Sequence, residues 1–137
     1  MSGFGPAEAT ALLADSFAPW VQELGLRVER VEANGAVLRL PFDARLCRIG
    51  GTVSGQALMA AADTAMVLAI SAMNGGFRPM TTVGQSMSFQ KPIGGVDVLI
   101  DARIQRLGRT MAFGEVHCRL ASDGALAAHA TSTYALL

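Results

Sequence analysis

The apolar positions of this chain change period several times along its length, and each change marks an element. Leu12, Leu13, Phe17 and Trp20 recur at helical spacing within 6–24, Pro19 interrupts them and Gly25 stops the pattern. This predicts one amphipathic helix, whole or in two pieces. Residues 26–32 (LRVERVE) and 36–42 (AVLRLPF) alternate apolar with polar on either side of AsnGly at 34 and 35, the pattern of a β-hairpin. A loop through Cys47, Arg48 and GlyGly at 50 and 51 then leads to an almost wholly apolar run, predicted helical over 54–73 and ended by AsnGlyGly at 74–76. The remainder reads as a β-meander of strands over 81–90, 96–106, 111–120 and 126–136, separated by ProIleGlyGly, a turn at 107–109, and AspGly at 123 and 124.

The order α-β-β-α-β-β-β-β points to an α+β fold in which an antiparallel sheet wraps the long apolar helix. With 137 residues, 51% of them hydrophobic, the chain has the size and composition of one domain spanning 1–137, and no internal repeat appears. Eleven basic and eleven acidic residues balance, and no segment interleaves Lys and Arg with aromatics, which argues against nucleic acid as a partner. A mean hydropathy of +0.38 in so small a chain suggests that a second subunit covers apolar surface. The first residues show no basic leader before an apolar core, so the expected location is the cytoplasm. Cys47 and Cys118 lack CxxC spacing; they read as reduced thiols, and neither a metal site nor a disulfide framework is signalled. The apolar run has the length of a membrane span, but glycines break its start and Ser54, Gln56, Asp63 and Thr64 punctuate it, so a buried helix is expected and no membrane.

Asp63 is the one charged side chain between Arg48 and Arg78. Its neighbours at three and four residues are Met59, Ala60, Met66 and Val67, so it lies on an apolar stripe. A carboxylate in such a place is expensive unless paired, neutralised or used, and the run contains no cation to pair with it. Asp63 is therefore the leading candidate for chemistry, the alternative being a solvated stripe or a hydrogen-bond acceptor for a neighbouring element.

The segments GTVSGQALMAAADTAM, TVGQSMSFQKP, GRTMAFGEV and ATSTYAL, in this order and spacing, resemble the hotdog-fold acyl-CoA thioesterases of the phenylacetate-pathway type. The similarity covers nearly everything after Arg39. In that family the central helix opens with HisGlyGly and carries an Asp eight residues after the first glycine; Gly55 and Asp63 take those two positions here. Ser54 stands for the family's His, Gln56 for its second Gly, and Arg48 for the Asn commonly found six residues before the His, so those positions have changed role. The resemblance implies a thioester hydrolase, with coenzyme A arriving as part of the substrate and no separate cofactor. It also places a Ser or Thr that holds the attacking water near Thr82, with Thr81 equally eligible because a one-residue slip exchanges the two faces of a strand.

On this reading Asp63 is nucleophile or general base, and the Gly55 N–H, at the positive end of the helix dipole, is the oxyanion donor. Eight residues of helix rise about 12 Å, so one chain's Asp63 and Gly55 cannot serve a single thioester carbon. Each site should then be shared across a homodimer, assembled as dimers or as dimers of dimers. Arg48, Ser54 and Gln56 at the helix start, Thr81 or Thr82, and Arg106 and Arg109 around a hairpin turn are the expected substrate contacts; the resemblance places the nucleotide end of coenzyme A at Arg106 and Arg109, which suit its phosphates, whereas Arg48 could meet an acyl-group carboxylate or Asp63 of the partner subunit. His117 and His129 in the late strands read as structural. The competing readings are a non-hydrolytic acyl-CoA-binding protein on the same fold and, less favoured, a hydratase, whose Asp and His pair finds no His in this helix.

Overall fold

The computed structural model describes residues 3–137. Two short helices open the chain, α1 (Pro6–Asp15) and α2 (Pro19–Gln22). Pro19 begins α2 rather than kinking a single helix, since its fixed φ and missing N–H suit a first helical position. The hairpin follows as β1 (Arg27–Glu32) and β2 (Gly35–Leu40), then α3 (Gly55–Asn74), β3 (Met80–Phe89), β4 (Val98–Leu107), β5 (Met111–Leu120) and β6 (Leu126–Leu136). Gly75, at φ 76°, takes the left-handed conformation that closes α3.

All strands join one antiparallel sheet in the order β1-β2-β4-β5-β6-β3. The expected meander holds only for β4, β5 and β6, which tight turns connect. β3 pairs instead with β6 at the far edge, and the longer 90–97 connection carries the chain to β4 while the N–H groups of Gln90 and Lys91 bond the Ala127 carbonyl. The Ile93 carbonyl of this connection accepts the Val53 N–H just before the start of α3, a helix long and apolar enough to span a membrane yet wrapped in the sheet. Its small side chains Ala61, Ala62, Ala65 and Ala69, with Met66, Leu68 and Ile70, are wholly buried. The alternation of β4, β5 and β6 puts Ile100, Ala102, Val116, Cys118, Ala130 and Tyr134 on that inner face.

The two sheet edges differ. β1 (RVERVE) lines its edge with charge, which discourages further pairing, whereas β3 (MTTVGQSMSF) has no charge and no proline and exposes Val83 (60%) and Phe89 (52%).

Candidate active site

The helix start is built first. Ser54 is extended (φ −67°, ψ 148°), and its hydroxyl accepts the Ala57 N–H at 3.2 Å, which makes it the N-cap of α3. The N–H groups of Gly55 and Gln56 belong to the first turn, where no intrahelical acceptor exists and the dipole is positive. A Cβ at Gly55 would lie 3.1 Å from the Phe89 ring, so a side chain here would press on the wall of the groove. That groove, of about 500 Å³, is lined by Arg48, Gly55, Leu58, Phe89 and Lys91 among others. Arg48 and Lys91 are exposed cations at its rim.

Two turns further along α3, Asp63 is half-buried. The Thr82 hydroxyl donates to its Oδ1 at 2.8 Å. Tyr134, 1% exposed, donates from its phenol to the Asp63 carbonyl at 2.7 Å and to Oδ1. Burial, reinforced by the Asp63 charge, pushes the Tyr134 phenol well above its ordinary range, so it stays protonated and can only donate to the carboxylate. Among the described residues no cation pairs with Asp63, and its Oδ2 takes no hydrogen bond. The carboxylate opens onto a second groove of about 340 Å³ lined by Trp20, Gln56, Met59, Ala60, Thr82 and Gln85.

Sheet register decides which residues reach Asp63. Thr82 pairs with Tyr134 and Gln85 with Ser132, and the register slips at Val83 between them. Without that bulge Thr82 and Gln85, three residues apart, would face opposite sides; with it both face α3. Gln85 uses this position to donate to the Met59 carbonyl at 3.1 Å and to accept from Ser132 at 3.2 Å. Thr81, one residue off, is paired with Ala135 and lies on the other face.

The remaining expected contacts are dispersed. Gln56 is exposed on the first turn of α3, beside Trp20. Arg106 and Arg109 border a separate shallow pocket of about 290 Å³ with Gly108 and Phe113. Within one chain Gly55 and Asp63 thus open onto different grooves. The sequence carries no signal for Tyr134, Gln85, Phe89 and Lys91, because each gains meaning only through the β3–β6 pairing. Trp20, one of the helically spaced apolar positions near the start of the chain, is 60% exposed and forms a wall of the Asp63 groove.

These features have known counterparts. No curated protein matches the sequence significantly. Among solved structures, a conserved protein from Pseudomonas aeruginosa is 28% identical (TM-score 0.80), the match covering 88% of this chain and 95% of that one. A variant of the phenylacetic acid degradation protein PaaI from Thermus thermophilus is 29% identical (TM-score 0.77), covering 88% and 100%. Zebrafish thioesterase superfamily member 2 is 25% identical (TM-score 0.83), covering 96% and 95%. The family model described as "Thioesterase superfamily" matches residues 50–127, from the loop before α3 into β6. That match spans more than half of the chain and includes both helix-start and carboxylate positions, so the protein belongs to the thioesterase superfamily, as a hotdog-fold member of the PaaI-like type.

Proposed function

We propose that the protein hydrolyses acyl-CoA thioesters, with Asp63 supplying the attacking group and the Gly55 N–H holding the carbonyl oxygen. The observation that carries this reading is the Asp63 carboxylate itself. It sits on an apolar helix face, is gripped at Oδ1 by Thr82 and Tyr134, has no cation partner among the described residues, and leaves Oδ2 free toward a groove. Fixing one oxygen by two donors orients the other, which suits a nucleophile or a base that must meet a carbonyl or a water in one direction. Coenzyme A enters as part of the substrate and leaves as the free thiol; the groove beside Gly55, with the exposed cations Arg48 and Lys91 at its rim, is where its pantetheine arm and phosphates would lie.

The site requires a second copy of the chain. Asp63 and Gly55 of one chain stand about 12 Å apart along α3 and open onto different grooves. The uncharged, unpaired edge of β3 offers the means of joining: antiparallel pairing of two β3 strands would extend the sheet and bring one chain's Gly55 and Phe89 toward the other's Asp63.

Thiol release from a panel of acyl-CoAs tests the reading. The native protein should turn over at least one class, and Asp63→Asn, whose amide oxygen still accepts from Thr82 and Tyr134, should stay folded while losing about 10²–10⁴-fold in kcat. Coenzyme A binding in a thermal-shift experiment with no turnover across the panel would favour the acyl-CoA-binding alternative instead.

A further inference from the structure

The chain has only two histidines, twelve residues apart, and the sheet places them side by side on neighbouring strands. His117 on β5 is in register with His129 on β6, with ring centroids 4.8 Å apart and planes at 62°. Glu115, two residues before His117, projects from the same face of β5. The Nε2 of His129 lies 3.5 Å from Glu115 Oε2, and that of His117 lies 3.9 Å from Oε1. All three ligand atoms fall within 4.8 Å of one another. Both separations to the carboxylate are too long for a hydrogen bond. They do suit ligands disposed around a common atom: a tetrahedral site with metal–nitrogen bonds of about 2.0–2.1 Å sets its ligands about 3.4 Å apart.

We propose that Glu115, His117 and His129 form a three-ligand site for a divalent transition metal of the zinc class. Two imidazoles and one carboxylate are the ligand set that such ions take, and small side-chain rotations would close the remaining gap between the histidines. The surroundings favour a cation. The Gln105 amide donates to Glu115 Oε2 at 3.3 Å, holding the carboxylate as an outer-shell partner would. Asp101 is in register with His117 from the other side. Arg103 stands opposite Glu115, but its guanidinium is engaged by Asp101 at 2.8 Å and Glu32 at 2.6 Å. The site is separate from the Asp63 grooves, because Val116, Cys118, Ala130 and Tyr134 alternate with these residues and face α3, whereas the ligands face outward. The metal would clip β5 to β6 and keep a fourth position open on the sheet's outer face.

Tag-free full-length protein, stripped with chelator and titrated calorimetrically with Zn²⁺, should bind one equivalent per chain. His117→Gln, His129→Gln and Glu115→Gln should each weaken binding by more than the roughly 10–100-fold that losing an outer-shell partner costs, while Cys47→Ser leaves it unchanged. Co²⁺ in the native protein should give a visible ligand-field band without the intense near-ultraviolet band of thiolate ligation, which decides the matter even if a variant does not fold. Absence of saturable Zn²⁺ binding, full binding by a folded His117→Gln or His129→Gln variant, or a thiolate band would overturn the proposal.

Discussion

Replacing Tyr134 by Phe removes one oxygen from the buried contact with Asp63 and leaves the ring that fills the inner face of β6. The phenol makes two bonds, to the Asp63 carbonyl and to its carboxylate. The carbonyl can keep its helical partner, so the loss is dominated by the bond to a charged acceptor, about 1.5–3 kcal/mol. Against a typical total of about 5–15 kcal/mol, the variant should fold, with a Tm lower by roughly 5–12 °C at fixed protein concentration. If the same bond is what holds Asp63 in its working rotamer, the fraction of chains with a poised carboxylate falls by up to the same energy. At about 1.4 kcal/mol per tenfold, kcat should drop about 10–100-fold while KM changes little. Steady-state kinetics on the best acyl-CoA beside a thermal melt provide both numbers. A fall in Tm with unchanged kcat would show that Tyr134 supports the fold only, and the positioning argument would be refuted.

Thr82→Val removes the second donor to Oδ1 from an exposed position, so kcat should fall by less than in the Tyr134 variant, and a double-mutant cycle should show the two effects to be coupled. Trp20→Ala, which deletes a wall of the Asp63 groove, should shift the preferred acyl length toward bulkier groups across a chain-length series, with the melting curve little changed. Asp97 accepts from the Phe42 N–H at 2.7 Å and from Arg39 at 2.9 Å, which holds its carboxyl below the ordinary 3.8. Its stabilising contribution is therefore present above that value and lost as pH falls through the lower folded value, so Asp97→Asn should be less stable than native in urea at neutral pH and approach it in strong acid. Burial pushes the Cys118 thiol up to about 12; a thiol reagent should label half-buried Cys47 in the native protein and reach Cys118 only on unfolding.

What the sequence made legible follows the strength of its periodicities. The strands at 111–120 and 126–136 alternate cleanly and form over those same residues, and the apolar run ends where Gly75 requires it. The neighbour of β3 could not be read that way, since an alternating strand says which face is apolar but not which strand lies beside it. Everything that depends on the β3–β6 pairing was hidden with it: the choice of Thr82 over Thr81, set by a one-residue bulge at Val83, and the meeting of Tyr134 with Asp63. Asp63 itself stood out because a lone carboxylate on an apolar helix face is costly wherever the helix packs. The place of Trp20 on a groove wall was not legible, because spacing alone does not distinguish a residue facing the core from one facing a groove. The two histidines carried no motif because a ligand set spread over two strands has no fixed sequence spacing.

The shared site is the central claim, and mixing two inactive variants tests it most directly. Gly55 is the first residue of α3 and Ser54 before it is already extended, so the backbone of Gly55→Pro fits the helix start while deleting the N–H proposed to hold the carbonyl oxygen; its Cβ would lie 3.1 Å from the Phe89 ring, which must shift to receive it. Asp63→Asn removes the attacking group and keeps its hydrogen bonds. Each variant alone should be folded and inactive. Refolded together in equal amounts, they should form about half heterodimers, each with one doubly defective and one intact site, restoring roughly a quarter of native activity. No recovery, with heterodimers confirmed by differential tagging and native mass measurement, would contradict the account and place both groups within one chain.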